Sequence, residues 1–147
     1  MQKIIFVLIF CIQFSLYSCL KRKTEYIPNV SIEKLNTLPD TSFTNISVDS
    51  LIKFYGTVKL NRGIKGYFKV TNTGKKTLYF INVQTGCGCI RILNSIMAIQ
   101  IPPNQTSKIE FEIPYFTDAG YFSRAITIYG NFYPYYRRLL IECNVVK

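Results

Sequence analysis

From Leu51 onward the chain is written in a two-residue rhythm. Ile109, Phe111 and Ile113 alternate with Lys108, Glu110 and Glu112, and Leu139, Ile141, Cys143 and Val145 alternate with Leu140, Glu142, Asn144 and Val146. Successive side chains on a strand point to opposite faces, so this rhythm describes strands with one buried and one wet face. The same pattern sets Phe68 and Val70 against Tyr67, Lys69 and Thr71, and places Ile126 and Ile128 inward within Ser123–Gly130. Leu78–Thr85 reads as a strand with Tyr79, Ile81 and Val83 sharing a face, while Cys89–Leu93 and Met97–Ile101 read as short strands or edges. Gly56, Asn72-Thr73-Gly74-Lys75 and Pro102-Pro103-Asn104 punctuate these runs as turn residues do. No stretch carries a helical period. The 11 Phe and 11 Tyr favour strands as well. Short strands broken by turns every ten or so residues predict an all-β, antiparallel sandwich of about seven strands over residues 49–147.

The N-terminal residues follow another logic. Lys3 precedes an apolar run, Ile4 to Phe10 with Cys11, Ile12 and Phe14, which ends in Leu16-Tyr17-Ser18-Cys19. A spanning helix needs ~20 apolar residues, and Gln13, Ser15 and Ser18 thin this run below that. The pattern is that of a secretory signal. Its end resembles the lipobox of bacterial lipoproteins, which implies removal of residues 1–18 and acylation of Cys19. Leu20, not Asp, follows that cysteine, and Lys21-Arg22-Lys23 come next. By analogy with lipoprotein sorting this points to the outer membrane, facing the periplasm. Residues 19–48, with Pro28, Pro39 and scattered Asn, Ser and Thr, are expected to be a tether, with at most a short strand around Val30–Ile32.

The net charge is +10. Lys53, Lys59, Arg62, Lys65, Lys69, Lys75, Lys76 and Arg91 lie between Asp49 and Glu110 with no acid among them. In a secreted protein nucleic acid is not an expected partner. A solvated strand face accounts for such alternation, and anionic head groups or an acidic polysaccharide are the partners it would attract.

Several landmarks resemble one bacterial family. Phe54-Tyr55-Gly56-Thr57-Val58, Asn72-Thr73-Gly74, Gly86-Cys87-Gly88-Cys89, Ile101-Pro102-Pro103, Gly120 before Ile126-Thr127-Ile128-Tyr129, and Asn131 occur in the order found in the domain-of-unknown-function family DUF1573. The resemblance runs over residues 50–146. It implies an immunoglobulin-like β-sandwich, common on secreted or lipid-anchored envelope proteins, and no transferable activity. The chain departs from the family in having Ile90 after Cys-Gly-Cys, and Pro103-Asn104-Gln105 where the family has a Pro-x-Gly turn. Asn tolerates positive φ, so that turn should persist.

Two groups of residues could carry chemistry. With Cys11 lost and Cys19 acylated, Cys87, Cys89 and Cys143 remain in an oxidising compartment. One reading is structural: a bridge from Cys87 or Cys89 to Cys143, or buried thiols. A second is redox, through a disulfide closed across Gly88. A third is copper or zinc held by Cys87 and Cys89. The structural reading is preferred, because no His exists and only Met97 is near in sequence as a further ligand. The other group is Tyr133, Tyr135, Tyr136 and Arg137, an aromatic and basic cluster suited to a sugar or a protein partner, or simply to covering one end of the sandwich. Without His there is no Ser-His or Cys-His pair, and no glycine-rich phosphate loop opens a helix. The expectation is a non-enzymatic, lipid-anchored binding or scaffolding module without a cofactor. Its partner would be an envelope protein or polysaccharide. A thiol-redox or copper-handling protein is the alternative.

Overall fold

The structure is a computed structural model that describes residues 43–147. Cys19, the segment before it and the stretch around Val30–Ile32 lie outside the described residues. Nine strands form in chain order: β1 Ile46–Val48, β2 Ile52–Lys59, β3 Ile64–Asn72, β4 Leu78–Thr85, β5 Arg91–Ile92, β6 Gln100–Ile101, β7 Thr106–Ile113, β8 Gly120–Gly130 and β9 Tyr136–Val146. They make two facing sheets, one ordered β1-β3-β7-β5 and the other β2-β9-β8-β4-β6. Beyond the runs read from the sequence, the structure adds the three-residue β1 and carries β2 through Gly56, while the expected β5 and β6 shrink to two-residue edges.

The pairs are antiparallel except β2 with β9, which is parallel. These strands stand at opposite ends of the domain sequence, so no crossover connection has to be built for them. The chain enters the sandwich before residue 49. β1 pairs with β3, Ile46 opposite Asn72, and the chain then switches sheets to run as β2 beside β9. Residues 43–48, expected as tether, are therefore part of the domain. Three residues are too few for an alternating pattern to show.

Between the sheets lie Phe68, Val70, Ile109, Phe111 and Ile113 from one side and Ile126, Ile128, Leu139, Ile141 and Cys143 from the other, each at most 1% exposed. Phe68 stacks on Phe111, and Tyr55 meets Phe111 edge-on. The alternation of β3, β7, β8 and β9 thus faces as read. In β4 it does so only in part. Leu78, Phe80 and Ile81 are buried and Val83 packs on the core, while Tyr79 is only half-buried, so the expected face holds only after Phe80. A register shift between Phe80 and Asn82 changes the facing along the strand, so one continuous period was the wrong template. Gly56 sits in a second irregularity, between Phe54 and Thr57 of β2, at φ 68, where a side chain would be strained. Asn104 takes φ 62 in the β6–β7 turn, as expected.

At one end of the sandwich two asparagines are buried. Asn72, fully enclosed, uses its whole amide: Oδ1 accepts from the Thr44 hydroxyl at 2.7 Å and the Gly74 N–H at 3.1 Å. Its Nδ2 donates to the carbonyls of Lys76 and Ile101, both at 2.7 Å. The Asn131 amide accepts from Tyr79 N–H at 2.8 Å and donates to the Thr77 carbonyl at 2.9 Å. Gly74, expected as a turn residue, does not take a positive φ. It is instead a clearance residue, since a Cβ there would overlap Thr44 and the Asn45 backbone.

Phe111→Ala should destabilise the domain by ~3–5 kcal/mol and Ile128→Ala by ~2–5 kcal/mol in urea unfolding. Asn72→Ala should cost ~3 kcal/mol or more, since it strands four buried donors and acceptors on three segments. Asn72→Asp should not rescue, having no N–H for the Lys76 and Ile101 carbonyls. Glu110→Ala, on the wet face beside Phe111, should stay within ~0.5 kcal/mol of the parent.

Candidate functional site

The sandwich has two unlike ends. The distal end is built where β4 stops. Gly86 makes the last contact with β8, its N–H donating to the Ala125 carbonyl at 2.7 Å. The next three residues turn, and the sulfurs of Cys87 and Cys89 are joined, with Cα atoms 5.1 Å apart. Gly88 between them is exposed and faces open space. Ile90 then turns inward and is 5% exposed. The residue that departs from the family pattern is thus an apolar plug that seats the turn on the core.

Both bridged cysteines are half-buried at the core's rim. They line a cavity of about 260 Å³ together with Tyr115, Asp118, Tyr121 and Arg124. Arg124 lies along the ring of Phe122, 5.5 Å from its centroid, and donates to the Ser123 carbonyl. Of the structural alternatives, a bridge to Cys143 does not form and buried thiols hold only for Cys143. Cys143 lies opposite Phe122 on β9, points into the core and is a free, fully buried thiol. Burial pushes its pKa up, so it is a poor nucleophile at neutral pH. Among the described residues no group of three potential metal-ligating side chains exists, and Cys87 and Cys89 spend their sulfurs on each other.

The proximal end is where the chain arrives at Phe43. The expected aromatic cluster is divided by the fold. Tyr133 and Tyr135 meet edge-on at 6.1 Å in the β8–β9 hairpin, and Tyr135 packs on Phe43 at 5.5 Å. Tyr136 instead sits on the outer sheet face against Tyr129. Arg137 reaches back to the Tyr133 carbonyl at 3.3 Å, bracing the hairpin. Tyr133 is 75% exposed.

The basic run is divided by the fold: Lys65 and Lys69 lie on β3 and Arg91 on β5, Lys53 and Lys59 on β2 of the other sheet, and Arg62, Lys75 and Lys76 in turns. Lys65 pairs with Glu112 at 3.0 Å and Lys53 with Asp49 at 2.9 Å. Lys53 and Lys108 also flank the ring of Tyr67, 4.8 and 4.4 Å from its centroid. Partial burial alone would raise the Asp49 pKa. Hydrogen bonds from Lys53 and the Lys69 N–H, with the Lys53 charge, outweigh it and hold the carboxyl below its ordinary value.

One edge was missed at sequence level. β2 is the outer strand of the five-stranded sheet and spans eight residues. Leu51, Ile52 and Phe54 stand 53, 50 and 57% exposed along it. Strand order is a tertiary fact, and the exposure of Phe54 could not be told from inward packing by alternation alone.

The family model "Protein of unknown function (DUF1573)" matches residues 46–145, and the chain belongs to that family. Among curated proteins nothing matches. Among solved structures the fold is shared with a protein of unknown function from Porphyromonas gingivalis W83, at TM-score 0.60 and 14% identity, covering 74% of this chain and 50% of that one. It is shared also with the ASH / PapD-like domain 7 of human CEP192, at TM-score 0.57 and 7% identity, covering 75% and 89%. A Vibrio cholerae protease, VesB, matches at TM-score 0.55 and 10% identity over 70% of this chain and 32% of its own. The chain thus spans about half of the first of these and about a third of the protease. At such identities the likeness is one of fold, an immunoglobulin-like and PapD-like sandwich.

In a Cys19→Ser chain beginning at residue 19, native protein should show no fast-alkylating thiol. After mild reductant it should show Cys87 and Cys89, and Cys143 should label only on unfolding; early Cys143 labelling would contradict its buried placement. The lowered Asp49 pKa also has a signature. Its stabilising contribution is present above the unfolded value of 3.8 and lost as pH falls through the lower folded value. Asp49→Asn should therefore lower the melting temperature at pH 7 and leave it unchanged in strong acid.

Proposed function

As a member of the DUF1573 family the chain inherits a fold and no reaction, and we propose that it is a non-enzymatic envelope module. In this reading it is anchored by lipid on Cys19 to the periplasmic face of the outer membrane. It binds an extended segment of an envelope protein along β2. The observation that carries the reading is the state of that edge. Sheet edges offer unpaired backbone groups and are normally blunted by shortness, lysines or bulges. β1, β5 and β6 are blunted by shortness, at two or three residues each. β2 is long, and Leu51, Ile52 and Phe54 beside it are apolar and exposed. Its lysine nearest those residues, Lys53, is drawn away onto Asp49 and Tyr67. The bulge of β2, between Phe54 and Thr57, comes after that apolar stretch and would end the added pairing there. An added strand supplies main-chain bonds, and the apolar side chains supply selectivity. The lipobox-like Leu16-Tyr17-Ser18-Cys19 supports the anchor.

A photo-crosslinking residue in place of Phe54 should give one discrete envelope adduct, and the same residue in place of Lys65 on the other sheet should not. Phe54→Glu should abolish binding and leave the melting temperature within a few degrees. Equal adducts from both positions would refute the edge. The anchor is checked by mass spectrometry of the mature N-terminus, where an unmodified Cys19 would refute it.

The disulfide favours a second reading, thiol–disulfide exchange. Its ring closes over three residues, which in the chain-entropy model contributes only about 1.6 kcal/mol, little for a structural staple. Both sulfurs also sit at a surface cavity. A partner dithiol would attack one sulfur, form a mixed disulfide and resolve it with its second thiol. Cys87 and Cys89 end as thiols, and the partner's two electrons and two protons are accounted for. A measured potential below about −300 mV would mark the bond as inert to such exchange.

A further inference from the structure

We propose that the proximal end of the sandwich lies against the membrane, with the β8–β9 hairpin and the β3–β4 turn docked on anionic lipid head groups. The inference rests on the anchored reading above and adds an orientation to it. Three observations converge. The first is chain length. The described domain begins at Phe43, and 23 residues separate it from Cys19. Even fully extended these reach at most about 80 Å, so a lipid on Cys19 would keep the domain at high effective concentration at the bilayer, with this end the nearer one along the chain.

The second is charge. The segments that make this end are 43–47, 71–79, 100–107 and 127–138, bound together through Thr44, Asn72 and Asn131. They carry Lys75, Lys76, Arg137 and Arg138 and no acid. All five acids of residues 43–147 lie elsewhere: Asp49, Glu110, Glu112, Asp118 and Glu142. Lys75 and Lys76 are exposed, and their turn is tied to the arriving chain, Thr73 N–H donating to the Asn45 carbonyl at 2.9 Å. The third is chemistry. Tyr133 projects from the same end, 75% exposed, braced by Tyr135 and Arg137. Tyrosine rings with a polar tip partition to the head-group level, where neighbouring lysines meet anionic lipid.

The chain has no tryptophan, so each introduced one is a clean probe. Tyr133→Trp and, as distal control, Tyr121→Trp would be placed in the protein isolated from its envelope. Each would be reconstituted in vesicles of brominated phosphatidylcholine with phosphatidylglycerol. The expected result is strong quenching and a blue shift from position 133 and little from 121. Loss of quenching in Lys75→Ala/Lys76→Ala should correspond to about a thirtyfold weaker association for the unanchored Cys19→Ser chain. Raised salt should weaken it further. Equal quenching at the two positions, or none, overturns the proposal. So does binding of the Cys19→Ser chain to alginate without quenching by vesicles. If Cys19 proves acylated and position 133 stays unquenched, the docking fails and the anchor stands. If Cys19 proves bare and added vesicles still quench position 133, the docking stands without it.

Discussion

The domain depends on one amide. Asn72 is enclosed at the end of β3 and bonds to the incoming chain at Thr44, to its own turn at Gly74 and Lys76, and to β6 at Ile101. Its backbone adds Gln105 and Asn104 of the next turn, through N–H and C=O. A buried amide with all its positions filled is worth more than its parts, because each unmade bond would be left in a dry site. Apolar burial alone holds sheets together without choosing how their ends close. Here the choice is made by hydrogen bonds of fixed direction, and Asn131 repeats the device for β4 and β8 through Tyr79 and Thr77. Gly74 follows from this: the turn must come close enough for its N–H to reach Asn72, which leaves no room for a Cβ against Thr44.

Much of the architecture was legible because it rests on period. β3, β7, β8 and β9 bury every second residue, so their facing could be read from Phe68, Phe111, Ile128 and Leu139. Reading failed where period failed. The shift inside β4 turned Leu78 and Phe80 inward against the expected face. β1 is too short to carry a pattern. Asn72 was visible as a turn residue but not as a hub, because its partners at residues 44 and 101 are brought to it only by folding. The cysteines show the same limit. Facing placed Cys143 inward, and it is inward. Proximity to Cys87 and Cys89 was assumed from elimination, and pairing is decided by the turn at Gly88.

The two ends differ in how they are held. The proximal end is locked by side-chain amides spanning distant segments, so a change there propagates to four strands. The distal turn is held locally by one backbone bond to Ala125, the plug Ile90 and a ring that spans Cys87 to Cys89. A loop of three residues restrains little of the unfolded chain, about 1.6 kcal/mol in the chain-entropy model. Opening that bond therefore asks little of the rest of the domain, whose core lies above it. In the proposed reading the rigid end serves anchorage and orientation, while the end that can change its bonding at low cost points the opposite way. β2 runs along the side of the sandwich, outside both ends, so its exposed Ile52 and Phe54 stay open whichever end is engaged. Under the proposed reading, that separation would let one small sandwich hold position and partner at once, with no contact required to serve both.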